Sequence, residues 1–184
     1  MVGFNENKKK TLISRRSVFK GRILLNVGIN RIKLPNGKVV DIESVEHPGA
    51  SCVVPFLSKD KIILIRQYRP VVDDYIWELP AGTLNKSEKP LQCAKRELEE
   101  EIGYSAGRIE SVGFIYTTPG FSNERIYIYR AGSLKKVDKV DVVPEDDEVL
   151  IAKVFGIREV RQLFKDRKIV DSKTIAGLAM CGII

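Results

Sequence analysis

Two runs of β-branched and apolar residues, Cys52–Leu57 and Lys61–Tyr68, stand on either side of the polar Ser58-Lys59-Asp60. They read as adjacent strands joined by a tight turn. Upstream, Val18–Lys33 is expected to be extended, turn at Pro35-Asn36-Gly37 and return as Val39–Val45, giving an N-terminal β-hairpin. Residues 1–15 carry no such pattern and are expected to be mobile. Downstream, Pro70–Tyr75 reads as a loop and Ile76–Leu79 as a short extended piece ending at Pro80. Leu91, Ala94, Leu98 and Ile102 recur at helical spacing, with Pro90 in the first turn and Gly103 as the stop, so a helix is predicted over about residues 89–102. Strands follow at Ile109–Thr117 and Arg125–Ala131, then an acidic loop at Pro144–Glu148, a strand at Val149–Phe155, and helices at Ile157–Lys165 and from Ser172 to about Cys181. The layout is α+β with a mixed sheet, divided into a tail and hairpin over 1–47 and a main domain over 48–184.

Composition narrows this little. The 184 residues are 43% hydrophobic and 30% charged, as in an ordinary folded domain. No apolar run approaches the ~20 residues of a membrane span, and the first residues lack the apolar stretch of a secretory leader, so no membrane partner is expected. The three cysteines are scattered, which fits a reducing, cytoplasmic setting. A single histidine, His47, leaves nothing for an imidazole-rich zinc site. The charge is +7, and residues 1–48 account for +6 of it, with ten Lys/Arg against four Asp/Glu. No aromatic residue is interleaved between Lys8 and Arg16, where the basic runs fall, so they read as a solvated terminus and nucleic acid is not expected as a partner.

The chemistry sits between Gly82 and Tyr104. At about 100° per residue, Glu97 and Glu101 share one flank of the helix beside the apolar stripe, with Glu100 adjacent. Like charges so spaced destabilise a bare helix, and Arg96 offsets only part of that through its relation to Glu100. A further cation is expected. Oxygen ligands without imidazole or thiolate select Mg²⁺, with Mn²⁺ the other choice. Taken alone, however, a run of glutamates is more often a solvated helix face.

The whole segment resembles the Nudix box, G-x5-E-x7-R-E-U-x-E-E-x-G-U, with U a bulky apolar residue. Gly82, Glu88, Arg96, Glu97, Leu98, Glu100, Glu101 and Gly103 fall on it in register, and Tyr104 replaces the last aliphatic. Gln67–Gly82 (Q-Y-R-P…W-E-L-P-A-G), Pro119 sixteen residues beyond Gly103, the following G-F-S-N-E, and K-T-I-A-G-L near the C-terminus are similar to the ADP-ribose pyrophosphatase subfamily. The resemblance runs from about residue 48 to the C-terminus. It implies a Nudix α/β/α sandwich and Mg-dependent hydrolysis of ADP-ribose to AMP and ribose 5-phosphate.

Residue roles follow from that resemblance. Glu97 and Glu101 are expected as principal metal ligands, joined by Glu100, the Ala81 carbonyl and, as an auxiliary, Asp147. Two or three ions would neutralise the diphosphate and acidify the attacking water. Arg69 and Glu78 are expected at the substrate, and Glu124 at the terminal ribose. Arg96 belongs to the catalytic set. Glu145, in the acidic loop, is the expected general base, with Glu100 its rival. The N-terminal hairpin is expected to form a homodimer. Other nucleoside diphosphate sugars or dinucleotides remain alternative substrates. A ligand-sensing or RNA-binding module is a further alternative, against which the intact carboxylate set argues.

Overall fold

A computed structural model describes residues 11–21, 26–137 and 150–184. The chain divides into two compact units, one of Met1–His47 with Thr118–Glu124 and one of Pro48–Thr117 with Arg125–Ile184.

The first unit is a three-stranded antiparallel sheet, the expected hairpin (β2–β3) with a further strand added. Its strands β1 (Leu12–Lys20), β2 (Asn26–Lys33) and β3 (Val39–Glu46) lie in that order. The expected single arm over residues 18–33 is two strands, and β1 reaches back into the stretch expected to be mobile. Gly21 is the one turn-forming residue between them, too faint a break to read beforehand. The Pro35-Asn36-Gly37 turn forms as expected: Gly37 takes φ 84° and its N–H donates to Leu34 O at 2.8 Å. Arg31 grips Asp41 across the β2–β3 pair through two hydrogen bonds of 2.9 and 3.0 Å. Thr118–Glu124 joins this unit through Val45 N–H to Phe121 O at 2.7 Å and His47 N–H to Asn123 Oδ1 at 2.8 Å.

The second unit is built on a mixed sheet. Its strands are β4 (Ala50–Ser58), β5 (Lys61–Arg69), β6 (Asp74–Glu78), β7 (Ala81–Thr83), β8 (Tyr104–Tyr116), β9 (Arg125–Lys136) and β10 (Leu150–Gly156). The order is β10-β5-β4-β9-β8, with β6 added to β5 and β7 to β4. Among the described residues of this sheet, only β4 and β9 run parallel, from Ala50 opposite Ile126 to Pro55 opposite Ala131. The apolar runs of β4 and β5 are continuous because both faces of the sheet are covered. Val53, Ile63 and Ile65 face α1 (Pro90–Ile102) with Ala94, Leu98 and Ile102. Cys52, Val54, Ile62 and Leu64 face the other way, packing with Val160 of α2 (Ile157–Lys165) and Leu178 of α3 (Ser172–Met180). Helices on both faces of one sheet make the α/β/α sandwich that the sequence led us to expect.

Trp77 fills space in this core, edge-on to Phe155 with ring centroids 4.9 Å apart. The three cysteines are free, and burial pushes the Cys93 thiol up to about 11, so it stays protonated at neutral pH. Among the described residues, no helix is long and apolar enough to cross a membrane.

Candidate active site

Helix α1 carries the site, and its ends are well defined. Pro90 occupies the first turn, where its missing N–H costs nothing, and Gln92 Oε1 accepts from Lys89 N–H at 3.0 Å. Gly103 closes the helix at φ 70°, donating to Glu99 O at 3.0 Å. The face turned to the protein holds Cys93, Ala94, Glu97, Leu98, Glu101 and Ile102. Leu91 corrects our expectation: it is 40% exposed, because the buried arc centres toward Ala94 and Glu101 and not toward the N-terminal leucine. The two glutamates therefore lie within the buried arc, not at its margin.

Their exposure is 6% for Glu97 and 8% for Glu101. Strand β7 runs past both. Glu101 Oε2 accepts the Ala81 N–H at 2.8 Å, and Cys93 Sγ donates to Gly82 O at 3.3 Å. A Cβ on Gly82 would overlap the Glu97 carboxylate, so glycine at this box position is what leaves room for the glutamate.

Arg96 ties the cluster together more widely than its i,i+4 relation suggested. Its Nε and Nη2 donate to Glu88 at 3.0 and 3.2 Å, and Nη2 also reaches Thr83 O at 3.1 Å. Its Nη1 meets Glu97 at 2.6 Å and Glu100 at 2.7 Å. Hydrogen bonding to Glu88 leads the interactions that raise the guanidinium pKa, keeping it charged. The same bond holds the Glu88 carboxyl below its ordinary range. Glu100 is the outermost of the four box carboxylates, with 53% of its side chain exposed.

A second cluster forms where β5, β6 and α3 meet. Arg69 makes a two-pronged grip on Glu78, Nε to Oε1 at 2.6 Å and Nη2 to Oε2 at 2.7 Å. Lys173 donates to the same Glu78 Oε2 and lies 3.1 Å from Asp171 Oδ2. Burial alone would push the Glu78 carboxyl up, but Arg69 and Lys173 bring it below its ordinary value. Glu78 is 1% exposed, and both its oxygens are engaged. Asp171 caps α3, accepting from Thr174 N–H at 2.9 Å, while Thr174 Oγ1 accepts from Leu79 N–H at 2.8 Å.

Of the residues singled out in the sequence, α1 and β7 bring together Ala81, Arg96, Glu97, Glu100 and Glu101. Arg69 and Glu78 pair with each other. Glu124 belongs to the first unit, with its Oε1 3.6 Å from His47 Nε2. Glu145 and Asp147 lie outside the described residues. Lys173 and Asp171 were missed. The available signal was that Lys173 opens the K-T-I-A-G-L stretch, in which the resemblance gave the lysine no role.

Among the described residues, no group of three or more His, Cys, Asp or Glu side chains is already gathered as a metal cage. The donor set nevertheless fits a hard divalent cation: carboxylates at Glu97, Glu100 and Glu101, the peptide oxygens of Gly82 and Thr83 nearby, and a neutral thiol as the one soft atom.

Three comparisons bear on this arrangement. A model of the NUDIX domain matches residues 45–177. The chain is 35% identical over 162 residues to the ADP-ribose pyrophosphatase of Bacillus subtilis (strain 168), covering 88% of this chain and 86% of that protein. It is 37% identical over 166 residues to the methanol dehydrogenase activator of Bacillus methanolicus, covering 90% and 89%. A solved ADP compounds hydrolase superposes with a TM-score of 0.77 at 21% identity, over 93% of this chain and 91% of that one, which speaks for the fold.

Proposed function

Because the chain belongs to the NUDIX domain family, we propose that it hydrolyses the diphosphate of ADP-ribose to AMP and ribose 5-phosphate. The observation that carries this reading is the burial of two carboxylates, Glu97 and Glu101, side by side along β7. Burying like charges is costly unless cations compensate, and a solvated helix face has no reason to incur that cost. The relative from Bacillus subtilis supports ADP-ribose as the substrate.

Glu97, Glu101, Glu100, the Ala81 carbonyl and Asp147 would hold Mg²⁺, or Mn²⁺ in its place, as two or three ions. Bound there, the metal neutralises the diphosphate and acidifies water. The chain's own residues do the rest. Arg96 fixes Glu88, Glu97 and Glu100 in one arrangement. Arg69 meets the diphosphate oxygens with the guanidinium edge that Glu78 does not take, and Glu78 serves the substrate through that grip. Glu124 holds the terminal ribose. Glu145 accepts the proton as water adds to one phosphorus and the bridging P–O bond breaks. The setting is a reducing cytoplasm, in keeping with three free thiols.

With Mg²⁺, a panel of nucleotides should show ADP-ribose cleaved to AMP at the highest kcat/KM, and nucleoside triphosphates cleaved poorly. Preference for triphosphates, or for other nucleoside diphosphate sugars or dinucleotides, would reject the substrate. Binding without turnover of any of them would reassign the chain to a ligand-sensing module.

We further propose that the N-terminal sheet forms a homodimer. On β1, the edge strand of that sheet, Leu12, Ile13, Val18 and Phe19 are each more than half exposed. An edge strand so apolar is usually covered. Light scattering at micromolar concentration should give twice the 20.7 kDa chain mass; a monomer would refute the dimer.

A further inference from the structure

A carboxylate as deeply buried as Glu78 needs neutralisation. Arg69 supplies one cation from β5 and Lys173 another from the first turn of α3. Exposure rises along the chain of contacts, from 1% for the Glu78 side chain and 13% for Lys173 to 38% for Arg69. Arg69 is thus the most exposed of the three side chains. The grip through Nε and Nη2 turns its Nη1 edge away from Glu78. Asp171 holds the ammonium from behind, and the neighbouring Thr174–Leu79 hydrogen bond fixes α3 to the end of β6.

We propose that Lys173 is a positioning residue for the substrate diphosphate, acting through Glu78 on Arg69. This rests on the reading of Arg69 as a diphosphate contact. With the ammonium on Oε2, part of the carboxylate charge is already balanced, and Arg69 keeps an outward field for phosphate oxygens. Without it, Glu78 depends on Arg69 alone and draws the guanidinium inward. The favourable ion pairing outweighs burial and holds the Lys173 ammonium above its ordinary pKa, so it is charged throughout the neutral range.

The test measures KM and kcat for ADP-ribose with Mg²⁺ in the full chain, for Arg69→Ala, Lys173→Met, the double variant and Lys173→Arg. Thermal unfolding is recorded for each. Lys173→Met should raise KM about tenfold with kcat within a few-fold, the scale of one charge-assisted contact. Combined with Arg69→Ala, it should add nothing to the KM of Arg69→Ala alone, because both act on one contact. Lys173→Arg should restore most of the affinity. A merely structural lysine would lower Tm and the active fraction while leaving KM unchanged, which overturns the proposal. An additive KM effect in the double variant also overturns it, since Lys173 would then act without Arg69. If Arg69→Ala itself leaves KM unchanged, the diphosphate contact falls and the role of Lys173 falls with it. Absence of ADP-ribose turnover in the unmodified chain marks the separate failure of the functional reading. Should Lys173→Met not fold, Lys173→Gln, which keeps a hydrogen-bond donor beside Glu78 without the charge, takes its place. A raised KM there supports the proposal, and an unmodified KM overturns it.

Discussion

Glu97→Gln and Glu101→Gln should each lower kcat by more than about 10²-fold, because loss of outer partners of a metal ligand already costs about 10–100-fold. The fold should survive both changes. A glutamine keeps one oxygen to accept from Ala81 N–H at position 101 or from Arg96 at position 97. It also removes one of two like charges a single helical turn apart, a repulsion that destabilises the helix. Thermal unfolding without metal should therefore show Tm held or raised. Titration with Mg²⁺ should require higher concentrations to reach the residual rate. Full activity at limiting Mg²⁺ would return both glutamates to the role of a solvated helix face, which their burial already makes hard to understand.

Glu145→Gln carries the second large effect, a loss of about 10²–10⁴-fold in kcat, the usual range for removing a general base. Its motivation is chemical. Arg96 already engages Glu97 and Glu100, and bound metal would engage the box carboxylates again. A carboxylate from elsewhere in the chain is better suited to take the proton. Affinity for ADP-ribose and the dependence on Mg²⁺ should change little, since the side chain acts in the transition state. Activity within a few-fold of the unmodified enzyme would move the role to Glu100, whose side chain is the most exposed of the box carboxylates.

Much of the catalytic helix was legible because its signals are local. Pro90 and Gly103 mark its ends, and the box residues sit at fixed spacings along one element. The rotation of its buried face was read less well. Hydrophobicity placed the stripe on Leu91 and Leu98, whereas packing places Glu97 and Glu101 inside it, as a functional site can require against the local preference. Strands β8 and β9 run longer than their apolar alternation, since the ladder continues from Arg108 opposite Gly132 to Tyr104 opposite Lys136 through residues that bury little. Thr118–Glu124 looked like part of the main domain, but its partners are Val45 and His47 in the first unit. The contact of Lys173 with Glu78 spans 95 residues, and no spacing rule reaches that far.

The parallel pairing of β4 with β9 also sets the order in which a new chain can become an enzyme. Antiparallel β4 and β5 can meet soon after they are made, but the other edge of β4 waits for Ile126–Ala131. Everything that builds the carboxylate cluster, β7 and the whole of α1, lies within the loop that this pairing closes. Closing such a loop loses entropy before the contacts repay it, so long-range parallel pairing is a slow step. The sheet that α1 covers is complete only when that pairing has formed. During synthesis the ribosome must release β9 before the second edge of β4 is paired. The catalytic segment is made early and becomes a site late.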